Sequence, residues 1–243
     1  MQNPEDILAE RRWRWTRKAI LRKLYFKWYG QITGALKPGT ILELGGGSGN
    51  LKDTLPRVIS SDILYAPWLD AVLDAHNLPF KDESVHNIVL FDVLHHLEVP
   101  ALFFLEANRI LRPEGRIVLM EPYVSWASFF VYRFLHAEDM DWYVNPFRLN
   151  RSGNKENPFH SNQAVTTLIF EKFRSQFVSR FPRLRILREK RTDPLLYPLS
   201  GGFHNPSLCP LFLWSPLEHL EDLLAPFHRF LAFRLFVVLE KSG

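Results

Sequence analysis

A glycine-rich turn carries the clearest chemical potential in this 243-residue sequence. Residues 45–49 read Gly-Gly-Gly-Ser-Gly and directly follow the apolar run Thr40–Leu44, which has the composition of a β-strand. A turn of this kind places backbone N–H groups beside a ligand. A dinucleotide fingerprint would need glycine where Asn50 stands, and a P-loop would need a Gly-Lys-Ser/Thr sequence, which is absent from the chain. The remaining pattern is E-x-G-x-G-x-G, beginning at Glu43.

The segments that must position this turn alternate between strand and helix patterns. We predict strands over residues 40–44, 57–62, 71–74, 87–92, 116–121, 184–188 and 230–240. We predict helices over residues 5–29, 100–111, 124–134, 161–181 and 217–227. Strands separated by helical or connecting segments are typical of a parallel α/β sheet, which binds ligands at the carboxyl ends of its strands.

Residues 40–121 resemble a class I S-adenosylmethionine-dependent methyltransferase domain of the methyltransferase 11-like group. The similarity rests on motifs in the family's order: Ile41–Asn50 for the glycine motif, Ser61-Asp62 after the second strand, Leu73–Phe80 after the third, Asp92–Leu97 after the fourth and Leu111–Gly115 before the fifth. One departure is His86, which stands where the family usually has Asp before the fourth strand. That position is more structural than catalytic, so cofactor binding remains the expectation.

The resemblance implies an α/β fold with a Rossmann-like seven-stranded sheet, helices on both faces, an N-terminal helix and a lid-type insertion after the fifth strand. We expect residues 1–243 to form one methyltransferase domain. Its expected parts are an N-terminal helical extension (1–37), a cofactor-binding half (38–122), the lid insertion (123–160) and a C-terminal half (161–243) with an insertion at 192–228.

The same resemblance implies S-adenosyl-L-methionine as the cofactor. Asp62 matches the acidic position that binds the ribose hydroxyls, and a carboxylate suits a vicinal diol. Asp74 and the backbone after it match the adenine site, and Asp92 begins the region at the methionine end. The full set of expected cofactor-binding residues is Glu43, Gly45, Gly47, Gly49, Asp62, Asp74, Ala75 and Asp92. The cofactor carries the reactive group, so no metal site is expected.

Three histidines are the candidate catalytic residues. Methyl transfer needs a general base only if the acceptor must lose a proton at or before attack. If the acceptor is a hydroxyl, we expect His95, His96 or His160 to take that proton. A structural role at a helix start is the competing interpretation of His95 and His96, and Glu121 is a further pocket candidate.

The charge distribution indicates an anionic partner. Residues 1–30 carry eight basic and three acidic side chains, and residues 151–191 carry ten and three. These two segments together hold a net +12, so the rest of the chain holds −8 of the overall +4. Basic segments outside the cofactor motifs point to the molecule that docks beside the cofactor.

We expect a small-molecule, lipid-like or glycan-linked acceptor, since the segments outside the common domain are rich in aromatic residues. Two alternatives stay open: a nucleic-acid methyltransferase that uses the basic segments, and a non-catalytic protein that keeps only the fold. Nucleic acid is disfavoured because the chain lacks the Asn/Asp-Pro-Pro-Tyr/Phe motif of base N-methyltransferases.

Location and membrane contact are predicted from composition. One cysteine and the lack of a signal-peptide pattern favour a cytoplasmic location. The longest uncharged stretch, residues 194–217, contains five prolines and is therefore not expected to span a membrane. Trp13, Ile20, Leu24 and Trp28, flanked by Arg and Lys, favour peripheral membrane contact through residues 11–28, although a helix packed on its own domain has the same pattern. The oligomeric state is left open.

Overall fold

The computed structural model describes residues 4–134, 139–150, 157–203 and 205–243, and within these ranges one seven-stranded sheet forms the centre. The strands are β1 (Ile41–Leu44), β2 (Ile59–Asp62), β3 (Ala71–Val72), β4 (Val85–Phe91), β5 (Leu111–Pro122), β6 (Leu184–Thr192) and β7 (Arg234–Lys241). Their order across the sheet is β3-β2-β1-β4-β5-β7-β6. β7 runs antiparallel to both of its neighbours, β5 and β6, and all the other neighbouring strands pair in parallel. The predicted seven-stranded Rossmann-like sheet is confirmed.

Helices cover both faces of this sheet, as predicted. Within the described ranges they are α1 (Pro4–Arg17), α2 (Ala19–Thr33), α3 (Asn50–Thr54), α4 (Pro100–Ile110), α5 (Trp126–Phe134), α6 (Val165–Thr167), α7 (Arg174–Arg180), α8 (Leu196–Ser200), α9 (Trp214–Leu223) and α10 (His228–Leu231). On one face, α4 and α7 pack against strand residues such as Leu42 and Leu119. On the other, α2, α8 and α9 pack against residues such as Val118 and Phe236.

The prediction of a single helix over residues 5–29 is wrong, because the chain forms two helices there, α1 and α2. Lys18 has φ −97° and ψ 89°, which interrupts the helical backbone between α1 and α2. The Lys18 ammonium donates hydrogen bonds to the carbonyl oxygens of Gly202 and Asn205, each at 2.6 Å. These contacts, about 185 residues away in sequence, accompany a break that periodicity does not reveal.

Other elements also differ from their predicted bounds: β5 begins at Leu111 instead of residue 116, and β6 continues to Thr192 instead of ending at 188. The helix predicted over 161–181 is interrupted by a π-helical segment, Leu168–Lys172, whose first three side chains are buried. The strand predicted from residue 230 begins at Arg234, since residues 228–231 form α10. The helix predicted over 217–227 forms α9, which begins earlier, at Trp214, and is followed by a 3₁₀ turn at 225–227.

A cluster of aromatic rings that includes Phe104 of α4 packs on the face of the sheet that α4 and α7 cover. Phe104 lies 5.0 Å from Phe177 and 5.4 Å from Phe181 between ring centroids, and its side chain is fully buried. We expect Phe104→Ala to lower the free energy of unfolding by about 3–5 kcal/mol, because the change leaves a cavity among these rings. Urea denaturation measures the loss. Leu105→Ala, at an exposed position of the same helix, is the control and should cost far less.

The predicted membrane contact through residues 11–28 is not supported by the packing of this segment. Ile20, Leu24 and Trp28, three of the four residues in that pattern, are buried against strands β4, β5 and β7 and helix α8. Only Trp13 is exposed, with the Arg17 guanidinium 4.5 Å from its ring. None of the helices in the described ranges has the length and apolar character needed to cross a membrane.

Candidate functional site

A cavity of about 950 Å³ opens at the carboxyl edge of the sheet. Its floor is formed by the ends of β1, β2 and β4, and its walls include residues of α1, α2 and α5. The cavity brings together nine of the predicted site residues: Glu43, Gly45, Gly47, Asp62, Asp74, Ala75, Asp92, His95 and His96. Gly49 and the His160 side chain are not part of its lining.

The glycine turn comes close to its neighbours, which explains its residue types. Gly45 has φ +71°, and a Cβ there would lie 2.2 Å from Cγ2 of Val93. Gly49 has φ +72° and precedes α3, where a Cβ would lie 2.6 Å from the Trp68 ring. Both positions therefore need glycine for backbone conformation and for space. Gly49 contributes to the site by shaping the turn.

Asp62 holds the glycine turn from the end of β2. Its carboxylate accepts hydrogen bonds from the backbone N–H of Gly47 at 2.9 Å and from that of Leu64 at 3.0 Å. Burial raises the pKa of Asp62 above its usual value, and these two backbone donors oppose that effect. Each carboxylate oxygen accepts one of these bonds and keeps acceptor capacity for a ligand in the cavity.

The turn after β3 is fixed by a short carboxylate–imidazole contact. His76 donates its backbone N–H to Asp74 Oδ1 at 2.9 Å, and its Nδ1 lies 2.6 Å from the same oxygen. The Val99 backbone N–H donates to His76 Nε2 at 3.2 Å, so the proton is assigned to Nδ1. This arrangement holds Asp74 and Ala75 at the cavity wall. Sequence reasoning did not identify His76.

Glu43 is a buried carboxyl group at the floor of the cavity. Burial raises its pKa to about 7, although the hydrogen bond from the Ser60 hydroxyl acts in the opposite direction. In the unfolded chain the same group has its ordinary pKa near 4.5. Folding therefore takes up a proton between these two pH values, and the stability of the fold depends on pH there.

We expect Glu43→Gln to remove this pH dependence. In the parent protein the free energy of unfolding should fall as pH rises from about 4.5 to about 7, because the folded state binds more protons than the unfolded state. The difference between parent and variant should change by about 3 kcal/mol across that window. Urea denaturation at pH 5 and pH 8 measures it. The exposed Glu10→Gln is the control, and equal pH slopes in parent and Glu43→Gln would contradict the role of Glu43.

Asp92, which is half-buried, forms an ion pair with the buried Arg234, a partner that the sequence analysis did not identify. Asp92, predicted at the cofactor site, has φ +57° and contacts Arg234 Nη1 at 2.5 Å. Arg234 is buried, and its guanidinium lies 4.8 Å from the Trp28 ring and 5.3 Å from the Tyr197 ring. The signal in the sequence was a lone arginine inside the apolar run of the last strand. Asp92 neutralises this cation where both face the cavity.

His95 is oriented by Glu121 from the end of β5. Its Nδ1 lies 2.7 Å from Glu121 Oε2, and Glu121 Oε1 accepts the backbone N–H groups of Val93 and Leu94 at 2.8 and 2.9 Å. Burial alone would raise the pKa of Glu121, but the hydrogen bond from His95 and the backbone donors bring it below the usual value. An ionised carboxylate only accepts, so His95 presents its Nδ1–H to Glu121.

Of the other two candidate histidines, His96 lines the cavity and His160 does not. The His96 ring lies 4.2 Å from the His95 ring and reaches the cavity lining. The His160 side chain is 70% exposed, and its Nε2 lies 3.5 Å from a carboxylate oxygen of Asp139. The His160 backbone carbonyl oxygen lies 3.4 Å from His96 Nδ1, but the His160 side chain does not line the cavity.

Helix α1 closes over the glycine turn, which sequence reasoning did not foresee. The Arg12 guanidinium donates to the Ser48 carbonyl oxygen and lies 5.3 Å from the Trp68 ring. Leu8 and Arg11 of the same helix line the cavity. Part of the basic N-terminal segment is therefore a wall of the site.

The donor and acceptor set of the cavity fits S-adenosylmethionine. Asn50 Oδ1 is buried at the cavity wall and has no hydrogen-bond partner among the described residues, while its Nδ2 donates to Ser48 Oγ at 2.8 Å. An unsatisfied buried acceptor in the same cavity as Asp62 calls for a ligand donor. The ribose hydroxyls and the ammonium group of the cofactor are such donors, so the residues present fit the group.

The segment that contains all the predicted cofactor-binding residues matches a known protein family. Residues 42–119 match a family model described as a methyltransferase domain. A protein described as an uncharacterized 37.1 kDa protein in transposon TN4556 of Streptomyces fradiae is 44% identical over 55 residues, which is 23% of this chain. The match spans 15% of the length of that relative.

Structure comparison gives the same fold at low identity. The [4+2]-cyclase SpnF aligns with a TM-score of 0.51 and 12% identity, over 89% of this chain and 80% of that chain. Geranyl diphosphate C-methyltransferase from Streptomyces coelicolor A3(2) aligns with a TM-score of 0.48 and 13% identity, over 92% of this chain and 81% of that chain. The first of these similarities supports the fold alone.

Proposed function

We propose that the protein, whose residues 42–119 belong to the class I S-adenosylmethionine-dependent methyltransferase family, methylates a small-molecule or lipid-like acceptor. The observation that carries the proposal is one continuous cavity with two kinds of wall. The glycine turn, Asp62 and Asp74 line one part. Aromatic and aliphatic residues of α2, α5 and α8 line another: Tyr25, Tyr29, Val131, Tyr132 and Tyr197.

The polar wall is the proposed cofactor site. Asp62 accepts the ribose hydroxyls, the turn at Asp74 and Ala75 holds the adenine, and Glu43, Asn50 and Asp92 face the methionine end. When bound, the cofactor supplies an electrophilic methyl group on a sulfonium. The residues of this chain hold that group in line with the acceptor and exclude water from the cavity.

The apolar wall is the proposed acceptor site. Tyr25 and Tyr29 are buried, and burial raises the pKa of both hydroxyls well above the ordinary value. These hydroxyls therefore stay protonated and act as hydrogen-bond donors or apolar surface, not as bases. With Val131 and Phe233 they favour an acceptor whose main part is apolar.

His95 is the proposed general base for an acceptor hydroxyl. Glu121 holds the Nδ1 proton, so the His95 Nε2 lone pair takes the proton of the acceptor while the acceptor oxygen bonds to the methyl carbon. Transfer of the methyl group would break the carbon–sulfur bond of the sulfonium and leave its electron pair on sulfur. Glu121 is the positioning residue, because it fixes the tautomer and stabilises the imidazolium that forms.

A nucleic-acid acceptor is disfavoured by the contacts of the basic N-terminal segment. Arg12 donates to the Ser48 carbonyl oxygen, Arg14 donates to the Phe203 carbonyl oxygen at 2.8 Å, and Lys18 donates to Gly202 and Asn205. These cations hold α1 on its own domain and do not form an open phosphate track. In the second basic segment, residues 151–156 lie outside the described residues.

Two experiments test the proposed function. Calorimetry with S-adenosylmethionine should show binding, and no heat at millimolar cofactor would refute the enzyme class. Labelled-methyl transfer into fractionated cell extract should place the label in the apolar small-molecule or lipid fraction. Label in RNA or DNA would favour the nucleic-acid alternative. Cofactor binding without label in any fraction would favour a non-catalytic protein with the same fold.

A further inference from the structure

An exposed aromatic face lies beside the cavity and takes no part in the proposed chemistry. Helix α5 exposes Trp126, Phe130 and Phe134 at intervals of four residues, with 76%, 60% and 71% of each residue accessible. Phe227 and Phe230, next to and within α10, are also exposed, and the Trp126 and Phe230 rings meet edge to face at 6.3 Å. We call these five residues the aromatic face.

The opposite side of α5 is a wall of the cavity. Val131 and Tyr132 line the cavity, and the Tyr132 hydroxyl donates to the Phe233 carbonyl oxygen at 2.8 Å. The same helix therefore presents apolar rings outward and acceptor-site residues inward. A surface that binds on the outer side of α5 lies next to the cavity.

The exposed charged side chains of the two segments that form the aromatic face are basic. Residues 124–134 and 224–234 contain no aspartate or glutamate. Their exposed charged side chains are Arg133 and Arg229, and strand β6, which contacts α10, adds exposed Arg188 and Lys190. Glu171, which accepts a hydrogen bond from the Tyr123 hydroxyl beside the Arg229 backbone, is paired with Arg191. Exposed aromatic rings with arginines at their border match an anionic membrane interface.

We propose that the aromatic face docks the protein on an anionic lipid surface, with the cavity beside the bilayer. A second copy of the chain is the competing occupant. A two-fold interface would bring the same patch of both copies together, and the two segments that form this patch would offer no acidic partner to Arg133 and Arg229. The proposal goes beyond methyl transfer, because docking needs neither cofactor nor acceptor.

Vesicle sedimentation tests the docking. The full-length protein is mixed with sucrose-loaded vesicles of phosphatidylcholine containing one quarter phosphatidylglycerol, and with vesicles of phosphatidylcholine alone. We expect binding to the anionic vesicles, weaker binding to the neutral ones, and a loss of about tenfold or more for the triple variant Trp126→Ser, Phe130→Ser, Phe230→Ser. The double variant Phe26→Ser, Tyr65→Ser removes two exposed rings elsewhere and should bind like the parent protein.

A charge-reversed variant tests the contribution of the two arginines to vesicle binding. Arg133→Glu with Arg229→Glu keeps every ring and should lose binding to anionic vesicles, while calorimetry with S-adenosylmethionine should show parent affinity in all variants. If the triple variant does not fold, this double variant decides the matter. No sedimentation of the parent protein, or equal sedimentation of parent and charge-reversed variant, would overturn the proposal. So would a parent dimer that becomes monomeric in the triple variant without vesicle binding.

The two proposals fail separately. Vesicle binding without cofactor binding would refute the methyltransferase activity and leave the docking intact. Cofactor binding and methyl transfer by a protein that ignores vesicles would refute the docking and leave the activity intact.

Discussion

Asp62→Ala should raise the dissociation constant for S-adenosylmethionine about 100-fold. The variant loses the proposed hydrogen bonds to both ribose hydroxyls, and it also releases the Gly47 N–H that holds the glycine turn. Two hydrogen bonds to a charged acceptor, at about 1.5 kcal/mol each, amount to roughly 3 kcal/mol, and each 1.4 kcal/mol is tenfold in affinity. Isothermal titration calorimetry measures the change.

The matched control for this change is Asp70→Ala. Asp70 follows β2 in the same region, accepts the Ser60 backbone N–H at 2.9 Å and pairs with Lys52, but it is not among the residues that line the cavity. Its loss costs a comparable backbone hydrogen bond without a ligand contact, so the affinity should stay near that of the parent protein. Equal effects of Asp62→Ala and Asp70→Ala would mean that Asp62 acts only through the stability of the turn.

His95→Ala should lower kcat for methyl transfer by roughly 10²–10⁴, the usual contribution of a positioned general base. Its effect on cofactor affinity should be small, because the proposed role of His95 is on the acceptor side. Labelled-methyl transfer into the reactive extract fraction gives kcat, and calorimetry gives the affinity. Retention of the parent rate in His95→Ala would rule out an essential base at this position.

Glu121→Gln separates positioning from folding. The amide can no longer stabilise an imidazolium at His95, so we expect a lower kcat and a pH profile displaced from that of the parent protein. A purely structural role for Glu121 would change stability and leave the pH profile in place. His96→Ala and His160→Ala are the controls, since neither ring is held by Glu121, and both should stay close to the parent rate.

The order of elements and the glycine turn could be predicted because their signals are local in sequence. A short apolar strand, a glycine turn and an acidic residue at the next strand end are all contained in residues 41–62. Parallel strands then bring their ends to one edge of the sheet, which explains why nine predicted residues meet in one cavity. The Lys18 break and the π-helical segment at 168–172 escaped prediction because they depend on contacts with distant segments.

The sheet and the glycine turn could be predicted from local patterns, since periodicity and turn chemistry act over a few residues. Three other features depend on contacts between distant parts of the chain. The tertiary structure placed Glu121 against His95 and Arg234 against Asp92, pairs separated by 26 and 142 residues. It buried the apolar side of α2 and left that of α5 exposed, because the choice between core and surface for an amphipathic helix depends on what packs against it.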